Sequence, residues 1–235
     1  MRGRYLKDGA LRNIICESSH VARKKHKRGR TIVSGDFQTI GSKPIGLKGK
    51  LAGLIMNVLH ANQYKRIIIE HIHERVDTKD RISILDIGCG GGKAISLFSA
   101  LIKNSKIYGI DHSPDMVNLA KKVNRTEILE GKVDLAQGDV TDLPYPNDSF
   151  DIVTAFDTIN FWTDFNKAIH EIKRVLKDDG RLFIVNGYPK EGTKWWDFVK
   201  FKNDNEYRKV LSEHGFIEIK VVIEKNTIII QAKKE

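Results

Sequence analysis

The chain has 235 residues, 40% hydrophobic and 30% charged, with a formal net charge of +10. This suits one large domain, or one domain with an appended cap, and excludes a wholly disordered chain. No run approaches the roughly 18 apolar residues of a bilayer span, the first thirty residues lack the apolar stretch of a secretory signal, and Cys16 and Cys89 make no disulfide framework, so a reducing, cytoplasmic setting is expected.

The charge is not spread evenly. Residues 1–30 hold ten Lys/Arg and two Asp/Glu, so eight of the ten excess positive charges fall there. The densest run is Arg23-Lys24-Lys25-His26-Lys27-Arg28-Gly29-Arg30. Such a run can bind nucleic acid or an anionic surface, or it can be a solvated tail. The solvated tail is the favoured reading, and residues 1–35 are taken as a basic tail.

Residues 35–49 are glycine-rich and carry Pro44, which predicts a loop. Leu51, Leu54, Ile55, Val58 and Leu59 recur at helical spacing, so residues 51–74 are expected to form one or two helices. Residues 36–80 read together as a helical lid. His71 and His73 stand two apart, which on a helix points them to different sides and argues against a metal site. No metal is expected.

From position 81 strands and helices alternate. Strands are predicted over 82–87, 106–110, 133–137, 150–156 and 181–186. Helices are predicted over 94–103, from Ser113 and Pro114 to about 123, and from Asp164 to about 176, the last closed by Lys177-Asp178-Asp179-Gly180. A helix near 205–214 precedes strands over 216–224 and 227–232, joined at Lys225-Asn226 as a hairpin. The pattern predicts an α/β fold: a doubly wound Rossmann-like sheet of five parallel strands plus a C-terminal antiparallel hairpin, occupying 81–235.

The first strand ends in Asp86-Ile87-Gly88-Cys89-Gly90-Gly91-Gly92. Ligands of open α/β sheets bind beyond the carboxyl ends of the strands, and glycines there let a ligand approach bare backbone. A dinucleotide fingerprint would need glycine at position 93, where Lys93 stands. The spacing is Asp-x-Gly-x-Gly-x-Gly instead. The second strand ends at Asp111, which can accept hydrogen bonds from a ribose diol. Gln137-Gly138-Asp139-Val140-Thr141-Asp142-Leu143-Pro144 follows the third strand, and Glu171-Ile172-Lys173-Arg174-Val175-Leu176 leads into the fifth.

These four elements, in this order over about residues 82–187, resemble the class I S-adenosylmethionine-dependent methyltransferases of the broad ubiquinone/menaquinone-biosynthesis type. The resemblance implies S-adenosyl-L-methionine as cofactor and S-adenosyl-L-homocysteine as product. It implies that Gly88, Gly90 and Gly92 floor the methionine and ribose parts, that Asp86 holds the amino end directly or through water, and that Asp111 takes the ribose hydroxyls. Met116 would pack on the adenine, Asp139 and Val140 would read its edge, and Phe156 would lie near the sulfonium. His112 either lines the pocket or is a surface residue beside a helix cap. Cys89 reads as a small space filler.

The acceptor is less legible. An Asn/Asp-Pro-Pro-Tyr segment after strand four would mark amino-directed nucleic-acid enzymes, and a Pro-Cys pair cytosine-C5 enzymes; neither is present. Phe156-Asp157-Thr158-Ile159-Asn160-Phe161-Trp162 instead resembles the aromatic loop of small-molecule enzymes, with Asn160 and Trp162 as acceptor contacts or as loop packing. Gly49, Gly53, Met56, Asn57 and His60 resemble a lid helix, which makes His60 and Tyr64 acceptor contacts or bases. Trp195, Trp196 and Phe198 would close the other side or form an interaction surface. A small-molecule methyltransferase is the favoured reading; an RNA- or ribonucleoprotein-directed enzyme docking through 23–30, and a non-catalytic cofactor-binding protein, are the alternatives.

Overall fold

The computed structural model describes residues 60–73, 81–193 and 195–235. The expected basic tail lies outside the described residues, as do 36–59 and 74–80 of the expected lid, with Gly49, Gly53, Met56 and Asn57.

Strand β1 (Ile82–Ile87) lies at the centre of one sheet. It pairs in parallel with β2 (Ser105–Asp111) on one side. Beyond β2 lies β3 (Val133–Gln137), also parallel. On the other side β1 pairs with β4 (Phe150–Phe156), and β4 with β5 (Leu176–Gly187), again in parallel. The chain then folds back as a hairpin of β6 (Phe216–Glu224) and β7 (Thr227–Lys234), with β7 antiparallel to β5. The order is β3-β2-β1-β4-β5-β7-β6. The five parallel strands and terminal hairpin expected from the pattern are present. Strand order reverses direction between β1 and β4, the place beyond whose carboxyl ends ligands of open α/β sheets bind.

Both faces of the sheet are covered, as the nearly unbroken apolar run of β4 requires. One face packs Leu85, Ile87, Val153, Ala155, Ile184, Ile228 and Ile230 under α5 (Phe165–Val175) and α6 (Asp204–Glu213). The other packs Ile84, Ile107, Ile152, Phe156, Phe183, Val185 and Ile229 against α1 (Ala61–Ile67), the π-helical turn Ile68–Ile72 and α2 (Lys93–Leu101). Ile67, Ile68 and Ile72 are fully buried. The described part of the expected lid therefore contributes to the core of the domain.

Local chemistry sets the helix starts. Ser113 accepts the Met116 N–H at 3.4 Å and Pro114 opens α3 (Pro114–Val123). Asp164 and Asn203 cap α5 and α6 by accepting the Lys167 and Glu206 N–H groups. A short helix α4 (Arg125–Leu129), not expected from the sequence, follows α3. Its five residues are too few for a periodic pattern to register.

β5 corrects the reading of residues 176–180. The sequence pattern predicts a helix end and turn there, with the strand starting at Arg181. Instead Leu176 pairs with Phe150, and pairing resumes at Ile152 with Arg181 after a register shift. The bulge keeps the strand continuous and places Asp179 at φ 64. Lys233 ion-pairs with the Asp179 carboxylate at 2.6 Å.

Candidate cofactor and acceptor site

The site starts with the backbone after β1. Gly88, Gly90 and Gly92 all have positive φ (69°, 50° and 82°), a conformation that other residues adopt only at a cost. The Gly88 and Cys89 N–H groups donate to the Ile110 carbonyl at 2.8 and 3.1 Å, which ties the loop to the end of β2. A Cβ at position 88 would lie 2.7 Å from Thr158 Cβ, and one at position 92 would lie 2.9 Å from Ala120 Cα. Gly90 differs: a Cβ there would meet nothing nearer than the Gly88 carbonyl oxygen at 4.0 Å. Two glycines are required by packing, and the third bounds an open cradle. Cys89 is buried in the core cluster with Ile95 and Leu135, and burial pushes its thiol well above the ordinary thiol range.

Asp111 forms the next wall. Its Oδ2 accepts the Gly90 N–H at 2.9 Å and its Oδ1 accepts the Ser113 N–H at 2.8 Å. Burial raises its pKa, opposed by those two N–H groups and by His112. The carboxylate thus joins the glycine loop to the start of α3, with lone pairs left on both oxygens for a diol. His112 is exposed, with Nδ1 3.5 Å from Asp111 Oδ1. Met116 is buried at the base of α3.

The loop after β3 carries Asp139, exposed, and Val140, buried. Asp139 Oδ1 accepts both the N–H and the hydroxyl of Thr141 at 2.8 Å. The Glu171–Arg174 pair of α5 clamps the continuation of this loop. Glu171 accepts the Leu143 N–H at 2.9 Å, while Arg174 donates to the Leu143 and Tyr145 carbonyls at 2.9 and 2.7 Å. The Arg174 guanidinium holds the Glu171 carboxyl below its usual range. The Glu171–Leu176 stretch singled out in the sequence therefore acts locally, by fixing the Leu143–Tyr145 backbone that follows Asp139 and Val140.

Between β1 and β4, Asp86 is 1% exposed and accepts the Thr154 hydroxyl at 2.7 Å. Burial pushes its pKa up to about 7; the Thr154 bond opposes this and Asp111 adds to it. Phe156 lies on the same face, its ring 4.7 Å from that of Tyr64.

Immediately beyond Phe156, Asp157 gathers residues from two distant parts of the chain. Its Oδ2 accepts the Tyr64 hydroxyl at 2.9 Å and lies 2.9 Å from His60 Nδ1, while its Oδ1 accepts the Gly187 N–H at 2.7 Å. Sequence reasoning singles out His60 and Tyr64 but misses Asp157 and Thr154. The available signal is an acidic residue directly at the end of an apolar strand and a hydroxyl inside it. Asn160 and Trp162 are held elsewhere. Asn160 Oδ1 accepts the Lys200 N–H at 3.1 Å, and Trp162 is buried and stacked on Phe165 at 5.6 Å between ring centres. In the segment after β5, the Trp196 ring meets Tyr188 at 5.3 Å, and Trp195 is largely exposed. Among the described residues no group of three or more His, Cys, Asp or Glu side chains could hold a metal ion. No described helix is long and apolar enough to cross a membrane.

A glycine loop, a carboxylate at the end of β2 and a reversal of strand order beside it are the features at which open α/β sheets bind nucleosides. A family profile described as a methyltransferase domain matches residues 85–184. The chain is 30% identical over 155 residues to the Bacillus subtilis protein YrhH, named for a methyltransferase, covering 64% of this chain and 83% of that one. It is 37% identical over 102 residues to a demethylmenaquinone methyltransferase of Lactobacillus johnsonii, covering 43% of this chain and 42% of that one. The chain spans a little under half the length of the first curated relatives it matches. A crystal structure of a SAM-dependent methyltransferase from Aquifex aeolicus shares the fold with a TM-score of 0.60 at 21% identity, over 74% of this chain and 98% of that one. The chain belongs to the class I S-adenosylmethionine-dependent methyltransferases.

Proposed function

We propose that the protein transfers the methyl group of S-adenosylmethionine to a small-molecule acceptor. The observation that carries this reading is the open space at Gly90 beside Asp111, whose carboxylate binds the Gly90 N–H and keeps acceptor capacity for a ribose diol. The residues fit the donor: Gly88, Gly90 and Gly92 would floor it, Asp111 would take its ribose, and Met116, Asp139 and Val140 would surround the adenine. Asp86 would face the amino end, and Phe156 would stand near the reacting centre. His112 and Cys89 would be at most peripheral, the first because it is exposed and the second because it is buried in the core.

When bound, this donor supplies an electrophilic methyl on a sulfonium and a good leaving group. The protein then has to align the acceptor at contact distance and exclude water. Acceptor contacts are assigned to His60 and Tyr64, with Asn160 and Trp162 shaping the loop beside them. The domain division into a basic tail (1–35), a lid (36–80) and a catalytic core (81–235) is part of the same proposal, as is action in the cytoplasm. A small aromatic or quinol-like acceptor is favoured, since one relative is named for demethylmenaquinone.

Isothermal titration of the full chain with S-adenosylhomocysteine tests the reading. Binding that Asp111→Ala weakens strongly is expected; affinity unchanged in that variant would overturn the assignment.

A further inference from the structure

The acceptor end of the crevice holds a hydrogen-bonded group that methyl transfer to a ready nucleophile would not need. We propose that His60 Nε2 is the general base of this site, that Asp157 is its positioning residue, and that the acceptor is a weakly acidic hydroxyl compound of the phenol or enol type. This rests on the methyl-transfer reading above.

The tautomer follows from the partners. Asp157 Oδ2, 2.9 Å from His60 Nδ1, is a carboxylate oxygen and only accepts. The ring proton therefore sits on Nδ1, and Nε2 keeps the lone pair. A carboxylate behind an imidazole also stabilises the imidazolium that forms when Nε2 takes a proton. Asp157 holds the imidazole above its ordinary pKa of 6.5, while partial burial pulls the other way.

Asp157 is itself pinned. Its N–H donates to the Val185 carbonyl at 2.7 Å, its Oδ1 accepts the Gly187 N–H, and its backbone stands at φ 53. A non-glycine residue in that conformation costs about 1–3 kcal/mol and persists only where its surroundings enforce it.

The group lies beside the donor crevice. Phe156, adjoining Asp157, packs on Tyr64, while Thr158, on the other side, fills the space over Gly88. Among the described residues, the titratable groups facing His60 are Asp157 from the end of β4 and Tyr64 from α1, with Asp86 of β1 acting on Tyr64. Burial and the charge of Asp157 hold the Tyr64 hydroxyl far above its ordinary range. Tyr64 stays protonated and is a second positioning residue.

A base is useful only when the acceptor must lose a proton. A neutral amine such as an arylamine attacks through its lone pair, and a thiol is partly ionised near neutrality. A phenol or enol hydroxyl, with a pKa near that of tyrosine, about 10, is not. In the step proposed, the acceptor O–H bond breaks, its electron pair goes into the bond to the incoming methyl, and the proton forms a new N–H bond at His60 Nε2. The donor, when bound, would supply the methyl and keep the electrons of the broken carbon–sulfur bond on its sulfur. The proton then leaves through the ring, whose side chain is 26% exposed.

Three measurements on the full chain test this. Titration with S-adenosylhomocysteine comes first: no binding in the wild type would sink the methyl-transfer reading itself. Next, transfer of labelled methyl is followed on 1,4-benzohydroquinone and on 4-nitrophenol, the second already ionised at pH 8. His60→Gln is expected to lower kcat on the hydroquinone by roughly 100-fold or more, to lower it less on the nitrophenolate, and to leave S-adenosylhomocysteine affinity within about twofold. An equal loss on both probes, an unchanged kcat, or no transfer to either probe despite cofactor binding would overturn the inference. Last, NMR titration of the His60 ring should give a pKa above 6.5 that Asp157→Asn shifts downward. No shift in that variant would remove Asp157 from its role.

Discussion

Two regions meet at the crevice and are built differently. The segment after β1 is backbone: glycines at positive φ and N–H groups aimed at Ile110 and Asp111. The segment after β4 is side chain: Asp157 draws in Tyr64 and His60 from 93 and 97 positions away and the Gly187 N–H from 30. A site made of backbone leaves a contiguous mark in the sequence, because only glycine tolerates those angles readily. A site made of side chains from distant segments leaves none.

Asp86 belongs to the first region by sequence and faces the second, so it tests how separate they are. Its folded pKa of about 7 lies above the ordinary 3.8, so between those values the folded protein keeps a proton that the unfolded chain has lost. Stability should fall as pH rises through that window, by on the order of 4 kcal/mol in total. Asp86→Asn should remove the slope, so the gap between variant and wild type in urea unfolding should change, in the variant's favour, from about pH 4 to about pH 7 and then level off.

Replacing glycines sharpens the contrast within the backbone region. Gly88→Ala adds both backbone strain and a clash with Thr158, and should cost about 3 kcal/mol in urea unfolding. Gly90→Ala has the strain without the clash and should cost about 1 kcal/mol, yet weaken S-adenosylhomocysteine binding more than Gly88→Ala weakens it relative to its stability loss. Asp111→Ala should weaken that binding by roughly 100-fold in calorimetry, the equivalent of two charge-assisted hydrogen bonds.

Smaller effects probe the supports. Arg174→Ala frees the Leu143–Tyr145 backbone, loosens the loop that carries Asp139 and Val140, and should weaken S-adenosylhomocysteine binding roughly threefold to tenfold. Tyr64→Phe removes one hydrogen bond to Asp157 and should cost about 1 kcal/mol in stability. It should leave S-adenosylhomocysteine affinity unchanged in the same titration. If it weakens that affinity as much as Asp111→Ala does, the two regions are one.

The fold is largely legible because it is periodic. Uninterrupted or alternating apolar runs between turn residues mark β3 and β4, and a serine cap with a proline marks α3, all local signals. The start of β5 is not legible, because Lys177-Asp178-Asp179-Gly180 is good turn chemistry; it is tertiary pairing of Leu176 with Phe150 that extends the strand through it. In the site, the motif spacing identifies the positions that form the loop and its Asp111 wall. Asp157 carries no such mark, since an aspartate after a buried strand is also ordinary loop composition. Thr154 is hidden by the hydrophobic run around it.

The meeting of Thr158 with Gly88 limits how this protein can diversify. Any side chain at position 88 would intrude on Thr158, so position 88 cannot gain a side chain unless position 158 gives way. The pair is a tight contact between the loop after β1 and the loop after β4. On the proposed roles, new acceptor preferences would arise to either side of it, on the helix that carries Tyr64 or in the loop beyond Thr158. On those roles a chimaera cut at that contact would inherit its donor side from one parent and its acceptor side from the other.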